Sequence, residues 1–456
     1  MNRIDACKLF HEGAIALAEM EANGMRLDVP YLKRTMAELA ERIKHLESKL
    51  RGCEEYALQR RRYGQRCNLM SDDQLGAVLF EDLGFKALAH TATGRPQLND
   101  VMLEHLNTKY TRGYLKLKKL DKLHGTFLKG ILEECEGEFV HGFFGLGTTR
   151  TYRSSSNSPN LQNIPIRDAE LGPMMRRVFI PRPRCRIVET DYTGAEVRVA
   201  CSLSGDQKLT YDTLQGDMHR DMACELFFLE KEQVAKPTRQ TAKNGFTFAE
   251  FYGDWYKQVC KNLWDQMDRF KLALPDGTRL RDHLAKHRIT ERGECDAQKD
   301  TRQGTFEAHV RAVEDRFWNK RFKVYHAKRR AWIEEYSRKG YVDLVTGFRC
   351  NGPMTKNQVL NYHVQGPSFH CLLWTLTRVN EQIRKRKMKT KLICQIHDSL
   401  LADVPFEEQD DYIELTKETA TTKLQKAWPW VVVPMDMEIE AAETNWAEKK
   451  KVEVSK

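Results

Sequence analysis

The sequence predicts an α+β fold in which helical segments surround a sheet. Three observations predict it: long segments with apolar residues every three or four positions before residue 137, short alternating segments after it, and renewed helical periodicity from about 206 to 336. With 456 residues, 41% of them hydrophobic, the chain can bury a large core. Its length suggests roughly three lobes.

The first third of the chain is predicted to be mainly helical. Residues 13–50 have helical periodicity with a glycine-containing break, and Ser71 is a suitable N-cap for a short helix that ends near Gly84. A second long helix is predicted in YTRGYLKLKKLDKLHGTFLKGIL. Its lysines form either a solvated surface or a set of phosphate contacts.

Strands are predicted next, in EFVHGFFGLG and CRIVETDYTG, before the helices of 206–336. Within those helices, residues 275–304 are polar, charged and punctuated by glycine, which indicates an inserted loop or a small subdomain. After Gly340 the pattern predicts a helix at about 356–386, a pair of strands around His397, a helix at about 406–427 and a strand in WVVVPMDMEIEA.

The composition limits the class of protein and its partners. A formal charge of +10 and a pI of about 8.9 lean toward a polyanionic partner without proving one. The twelve cysteines include no CxxC pair, the N-terminus has no secretory signal, and no apolar run approaches the ~20 residues of a membrane helix. We therefore expect a soluble, cytoplasmic protein with reduced thiols and no membrane contact.

Two aspartates stand out because each interrupts an alternating segment. Asp191 ends the strand CRIVETD, and Asp398 lies within QIHDSLLADV. On one sheet the two carboxylates would repel each other unless they shared a proton or held divalent metal. Two Mg²⁺ ions about 4 Å apart can activate an attacking oxygen and stabilise a leaving one, as nucleotidyl transfer requires. The alternative is that both are separate turn or surface acids.

A third segment, PTRQTAKNGFTFAEFYGD, favours the shared site. Arg239 and Lys243 are four residues apart, so on a helix they present two cations on one face to a polyphosphate. Phe248 and Tyr252 are also four apart and could flank a base or sugar.

With these segments together, the chain resembles the polymerase portion of family A DNA polymerases, the group of bacterial DNA polymerase I and its bacteriophage relatives. The likeness runs in family order from about residue 13 to Trp446. The matching segments are DYTGAEVRV (191–199, motif A), RQTAKNGFTFAEFYG (239–253, motif B), QIHDS (395–399, motif C), the primer-template segment TYRSSSNSPNLQNIP (151–165), GDMHRDMACELF (216–227) and NYHVQG (361–366).

This resemblance implies a right-hand polymerase architecture with palm, fingers and thumb around an antiparallel palm sheet. The expected parts are an N-terminal segment packing on the palm (1–30), the thumb (31–135), a first palm part (136–205), the fingers with the insertion at about 275–304 (206–336) and a second palm part (337–456).

The implied activity is template-directed addition of deoxynucleotides to a primer 3′-hydroxyl with two Mg²⁺ ions, for which Mn²⁺ substitutes. Primer-template DNA and deoxynucleoside triphosphates are the expected partners of a monomer, with accessory replication proteins as further candidates. Asp191, Asp398 and the Tyr192 carbonyl match the metal ligands. Three cationic positions match those that hold the triphosphate, with Lys243 placed to protonate or stabilise pyrophosphate: Arg239, Lys243 and His219.

Further positions are implied to select the sugar and to contact DNA. Glu196 matches a steric gate that leaves no room for a 2′-hydroxyl, and Phe248 and Tyr252 match the nucleotide-binding aromatic residues. The positions that match primer-template contacts, with structural hydrogen bonding as the alternative role, are Arg153, Asn361, Gln365, Gln395 and His397.

The chain departs from the family pattern at three places. Ser399 stands where a glutamate is usual, and Gly194 stands where a glutamine is usual. In addition, Phe248 and Tyr252 follow Arg239 by one residue more than in the family. One extra residue turns both rings by about 100° around a regular helix.

A π-bulge beside Gly245 would absorb this extra residue, and we predict that it is present. Without it, Thr247 and Phe251 would take the two aromatic places. If the bulge holds, phenylalanine at position 248 indicates strong discrimination against dideoxynucleotides.

Only a dozen residues precede the thumb-like helices, so we expect no 3′→5′ exonuclease in this chain. Two rival functions stay open. One is a single-subunit phage-type RNA polymerase, which lacks a gate carboxylate like Glu196. The other is a catalytically silent DNA-binding replication protein, against which Asp191, Asp398, Arg239 and Lys243 all count.

Overall fold

The computed structural model describes residues 1–88, 90–91, 94–165 and 168–452, and it has the predicted α+β fold. The described part of the first third is helical, as predicted, and Ser71 caps a helix through a bond from the Gln74 N–H at 3.3 Å. The helices here are α1 (Arg3–Asn23), α2 (Val29–Arg51), α3 (Glu54–Tyr63), α4 (Asp72–Ala77), α5 (Asp100–Leu106), α6 (Lys109–Asp121) and α7 (Lys129–Glu133).

A small apolar core is separate from the main core and lies among α2 to α6. Its buried members include Leu75, Leu103, Tyr114 and Leu117, all fully covered. This core lies inside the segment expected to form the thumb. By contrast, α1 packs on later elements, where Asn23 donates to the Leu392 carbonyl at 2.9 Å.

The strands form one central sheet and three smaller ones among the described residues. In chain order the strands are β1 (Met25–Arg26), β2 (Cys135–Glu136), β3 (Phe139–Val140), β4 (Phe143–Gly145), β5 (Ser155–Asn157), β6 (Cys185–Tyr192), β7 (Tyr341–Asp343), β8 (Arg349–Asn351), β9 (Lys391–Ile396), β10 (Ser399–Pro405), β11 (Met437–Ala442) and β12 (Lys450–Lys451).

The central sheet has the order β12-β11-β6-β10-β9, and every neighbouring pair is antiparallel, as the resemblance implied. All seven residues of β10 are buried. The strand pair predicted around His397 is the β9–β10 hairpin. The alternation through QIHDSLLADV predicts a strand-borne Asp398, but this residue lies instead in the two-residue turn of the hairpin. His397 opens that turn with a positive φ of 51°.

The remaining helices include the long helix predicted after Gly340. They are α8 (Leu171–Arg176), α9 (Ala195–Ser204), α10 (Gln207–Leu214), α11 (Met218–Phe227), α12 (Lys236–Ala242), α13 (Phe248–Tyr252), α14 (Tyr256–Arg269), α15 (Leu280–Lys286), α16 (Phe306–Arg316), α17 (Lys323–Lys339), α18 (Lys356–Lys385), α19 (Gln409–Glu418) and α20 (Leu424–Ala427). None of the described helices is both long and apolar enough to cross a membrane.

The segment predicted as an insertion contains α15 and packs on the main core, in which Leu280 and Leu284 are buried. The buried Lys257 side chain of α14 anchors it by donating to the backbone carbonyls of Asp296, at 2.5 Å, and Lys299. Lys257 also pairs with the buried Glu307 carboxylate at 3.6 Å. Because these polar groups are satisfied inside the protein, the segment is held against α14 and α16.

Candidate active site

The central sheet brings Asp191 and Asp398 together. Asp191 on β6 pairs with Ser399, the first residue of β10, so it lies one position from Asp398 in the hairpin turn. The Tyr192 N–H donates to the Asp398 carbonyl at 3.1 Å. The two acids and the Tyr192 backbone, predicted as metal ligands, therefore meet at one point of the sheet.

The two carboxylates influence each other electrostatically. Although Asp191 is exposed, the dense protein around it disfavours its charge, and the charge of Asp398 adds to this, raising the pKa of Asp191 to about 7. Burial also raises the pKa of Asp398, while the charge of Arg153 opposes that rise. At neutral pH such a pair favours a bound proton or a cation.

Within the described ranges, no cluster of three or more His, Cys, Asp and Glu side chains could hold a metal ion. A metal at this point would therefore rely on two carboxylates and on backbone oxygen. This is the donor set implied by Ser399, which stands where the family usually has a glutamate. Ser399 is buried, and its hydroxyl donates to the Ile396 carbonyl at 2.9 Å across the hairpin.

Arg153 bridges two of the acids. Its guanidinium lies 3.6 Å from the Asp398 carboxylate and 3.7 Å from the Glu196 carboxylate, and 21% of its side chain is exposed. In this structure a cation of the chain therefore partly neutralises both acids.

The predicted π-bulge is present. Residues Lys243–Thr247 form a π-helical turn between α12 and α13. Gly245 lies in this turn, and a Cβ there would come within 2.7 Å of Leu263 on α14, so a larger residue has no room without a shift. With this register, Phe248 and Tyr252 line a cavity of about 250 Å³ together with Asp398.

The alternative register, with Thr247 and Phe251 in the two aromatic places, is not the one observed. Thr247 is fully buried. Phe251 borders the same cavity, but its ring packs against Phe317 at 5.7 Å and Tyr325 at 5.8 Å between centroids.

The three residues predicted to hold a triphosphate lie close together beside this cavity. Burial lowers the pKa of Lys243, and the nearby Arg239 lowers it further. His219 is half-buried, and its ring packs edge-on against Phe248 with 5.5 Å between centroids. Burial, with the charges of Lys243 and Arg239, lowers the pKa of His219 to about 4, so it is neutral at pH 7.

Arg239 has a partner that the sequence did not predict. Its Nε donates to both carboxylate oxygens of Asp217, at 3.0 and 2.9 Å. Asp217 also caps α11 by accepting from the Arg220 N–H at 3.1 Å. An aspartate before a helical segment is an N-cap signal in the sequence, but nothing in that signal indicates the pairing with Arg239.

Glu196 and Tyr252 are joined directly. The Tyr252 hydroxyl donates to a Glu196 carboxylate oxygen at 2.8 Å, although the two residues are on different helices. Burial raises the pKa of Glu196, and the bond from Tyr252 lowers it. Gly194 precedes α9, the helix that carries Glu196. Its φ of +63° is a left-handed conformation that residues with a side chain rarely adopt.

The residues predicted to contact DNA fall into two groups. His397 is exposed, and Asn361 and Gln365 are half-buried, so all three remain candidates with Arg153. Gln395 is different, because it is 2% exposed and its amide donates to the His397 carbonyl at 2.7 Å while accepting from Gln162 at 2.9 Å. This favours the structural role for Gln395, which supports the hairpin turn, over direct DNA contact.

Sequence reasoning missed Tyr325 as a cavity residue. It is buried on α17 and lines the same cavity as Glu196 and Tyr252. Its position in a helical apolar pattern indicates only a core residue, so no local signal could have identified it.

Sequence comparison agrees with this geometry. A profile described as "DNA polymerase family A" matches residues 30–269 and 307–448. The thermostable DNA polymerase I of Thermus aquaticus is 30% identical over 445 residues, which cover 93% of this chain and 46% of that protein. DNA polymerase I of Bacillus subtilis is 29% identical over 416 residues, covering 89% of this chain and 42% of that protein. The chain thus spans less than half the length of these relatives.

A solved structure shares the fold. The POL domain of Pol1 from M. smegmatis, in complex with DNA primer-template and dNTP, superposes with a TM-score of 0.73 at 22% identity, covering 96% of this chain and 70% of that chain. Residues 270–306 of this chain lie between the two ranges that the profile matches, and they contain the predicted insertion at 275–304. These relatives are bacterial, so they do not indicate a bacteriophage origin for this chain.

Proposed function

Because the chain belongs to DNA polymerase family A, we propose that it extends a primer 3′-hydroxyl with deoxynucleotides in the order that a template strand dictates. The observation that carries this proposal is the backbone contact between Tyr192 and Asp398, which places Asp398 beside Asp191 and on the wall of a cavity that Lys243 also lines. Acidic and cationic groups arranged in this way suit nucleotidyl transfer from a triphosphate.

The residues at this point fit two Mg²⁺ ions, with Mn²⁺ as a substitute. Hard divalent ions prefer oxygen ligands, and Asp191, Asp398 and the Tyr192 backbone offer them. Burial, and after it the charge of Asp398, raises the pKa of Asp191, and a cation bound here would favour the charged carboxylate. When bound, Mg²⁺ would activate the attacking hydroxyl and stabilise the leaving oxygen.

The cations of the chain hold the triphosphate in this proposal. Arg239 exchanges Asp217 for phosphate oxygens, because its guanidinium is already oriented beside Lys243. Lys243, whose pKa is lowered by burial, is suited to donate a proton to the departing pyrophosphate. Neutral His219 serves as a hydrogen-bonding group rather than a charge.

Glu196 makes the enzyme selective for deoxyribose. Held by Tyr252 and Arg153, its carboxylate is fixed on the wall of the cavity and leaves no room for a 2′-hydroxyl. This arrangement favours a DNA polymerase over the RNA polymerase alternative. The primer-template duplex is contacted by Arg153, His397, Asn361 and Gln365, largely in the minor groove, where correct pairs offer similar acceptors.

Primer extension with separate deoxy- and ribonucleotide mixtures and Mg²⁺ tests the proposal. We expect the wild-type chain to add deoxynucleotides and Asp398→Ala to lose activity by at least about 10³-fold, since no carboxylate replaces the lost one. Asp410→Ala removes an exposed acid on α19 and serves as the matched control. Unchanged incorporation by Asp398→Ala would eliminate the metal assignment, and preferential ribonucleotide use would favour the RNA polymerase alternative.

A further inference from the structure

The last turn of α13 is held by a buried arginine of α17. Arg329 is 6% exposed, and its Nη2 donates to the backbone carbonyls of Glu250 at 3.0 Å and Phe251 at 3.4 Å. Carbonyls at a helix C-terminus lack helical partners and carry partial negative charge, so a cation there is favourable. Arg329 therefore caps the short helix that carries Phe248 and Tyr252.

No carboxylate of the described residues lies within 4.0 Å of the Arg329 guanidinium. The guanidinium instead covers the Trp318 ring, 4.1 Å from its centroid. Burying a cation without a carboxylate partner is unfavourable. Its closest interactions are thus with the Trp318 ring and the helix carbonyls, while the charges of Glu250 and Glu314 act from farther away. This indicates that the arginine secures the position of α13.

Glu250, on α13 itself, is arranged to leave those interactions undisturbed. It is 1% exposed and accepts from the Trp318 indole N–H at 2.8 Å. Burial and the charge of Glu314 raise the pKa of Glu250, while the Trp318 bond and the charge of Arg329 lower it. The Glu250 side chain is thus bonded to Trp318, and the hydrogen bonds of Arg329 go to the helix carbonyls.

The same turn ends in Tyr252, the residue whose hydroxyl bonds Glu196 at 2.8 Å. The Tyr252 carbonyl also accepts from the Asn361 amide at 3.4 Å. All three last carbonyls of α13 are therefore bonded from α17 or α18. These bonds fix the backbone from which the Tyr252 side chain reaches Glu196.

We propose that Arg329 is a positioning residue for sugar selection, acting through Tyr252: it fixes the last turn of α13 and thereby holds the tyrosine hydroxyl against Glu196. This inference rests on the proposed function, because it assumes that Glu196 faces the sugar of an incoming nucleotide. Arg329 does not itself line the cavity, and its effect reaches the nucleotide only through the α13 backbone.

The test measures kcat and KM for single-nucleotide addition of a deoxynucleotide and of the matching ribonucleotide. The proteins are the wild type, Arg329→Met, Tyr252→Phe and the double variant. Arg329→Met should lower the deoxy-to-ribo ratio of kcat/KM by about 10-fold, because the gate loses its fixed position. Tyr252→Phe should lower it in the same way, and the double variant should lower it no further.

Two variants make the result specific. Arg330→Met removes an exposed arginine next to Arg329 on the same helix and should leave the ratio unchanged. Arg329→Lys keeps the charge but lacks the planar fork, so it should lower the ratio by about 3-fold. If Arg329→Met does not fold, Arg329→Lys carries the same comparison with Tyr252→Phe.

Two outcomes would overturn the inference. One is an unchanged deoxy-to-ribo ratio in both Arg329 variants, whether or not kcat/KM falls equally for both nucleotides. The other is a double variant whose ratio falls by the product of the two single-variant falls. A wild-type chain that adds no deoxynucleotide would instead refute the proposed function, so the two failures are distinguishable.

Discussion

Arg153→Met should strengthen divalent metal binding to the chain in the absence of DNA. In this structure the Arg153 guanidinium lies 3.6 Å from the Asp398 carboxylate, so a metal ion at Asp398 has to displace it. At 3.6 Å and an effective dielectric constant of about 20, the Coulomb attraction is about 4–5 kcal/mol. Because part of each side chain reaches solvent, about 1–2 kcal/mol of this is expected to remain.

A change of about 1.4 kcal/mol is tenfold in a dissociation constant, so Mn²⁺ should bind the variant about 10-fold more tightly. Electron paramagnetic resonance titration of free Mn²⁺ measures this without catalysis. Arg150→Met is the matched control, since it removes the same charge from an exposed side chain that donates to the Pro353 carbonyl at 2.8 Å.

Equal Mn²⁺ affinity in the wild type and in Arg153→Met would refute the competition between Arg153 and metal for Asp398. An equal increase in Arg150→Met would show only a general effect of net charge. Primer extension by Arg153→Met should nevertheless fall, because the proposed contact with the primer-template is lost.

Two further predictions concern the aromatic register and the buried charge of β10. Phe248→Tyr should raise the use of dideoxynucleotides relative to deoxynucleotides by about 10-fold or more, which a chain-termination assay measures; an unchanged ratio would argue against the sugar-facing position of this ring. Arg182→Met should lower the free energy of unfolding by about 3 kcal/mol at pH 8, since it leaves the 1% exposed Asp403 carboxylate without the guanidinium 2.5 Å away. Burial already raises the pKa of Asp403, and removing Arg182 raises it further. A carboxyl with a raised folded-state pKa favours the fold at low pH and loses this contribution as pH rises through that pKa. Urea denaturation should therefore show a smaller loss of unfolding free energy in the variant at pH 5 than at pH 8. An equal loss at both pH values would contradict this prediction.

Much of the fold follows from local pattern. The alternation in CRIVETD and in QIHDSLLADV corresponds to β6 and the β9–β10 hairpin, because strand residues alternate between two faces. The π-bulge at Lys243–Thr247 was predictable by counting residues between Arg239 and Phe248, since the helix period converts one extra residue into a rotation. The inserted segment was visible in its polar, glycine-rich composition.

The sequence by itself thus indicated the family, the pair of acids and most of the helices and strands. Of the predicted strand WVVVPMDMEIEA, only the part from Met437 forms one. Only the tertiary structure decided which groups the arginines contact. Arg153 pairs with Asp398 and Glu196, Arg239 pairs with Asp217, and Arg329 donates to the carbonyls of α13. It also decided that Gln395 is buried. The physical reason is that periodicity depends on neighbouring residues, whereas ion pairs and burial depend on which distant segments pack together, and many packings are compatible with the same local pattern.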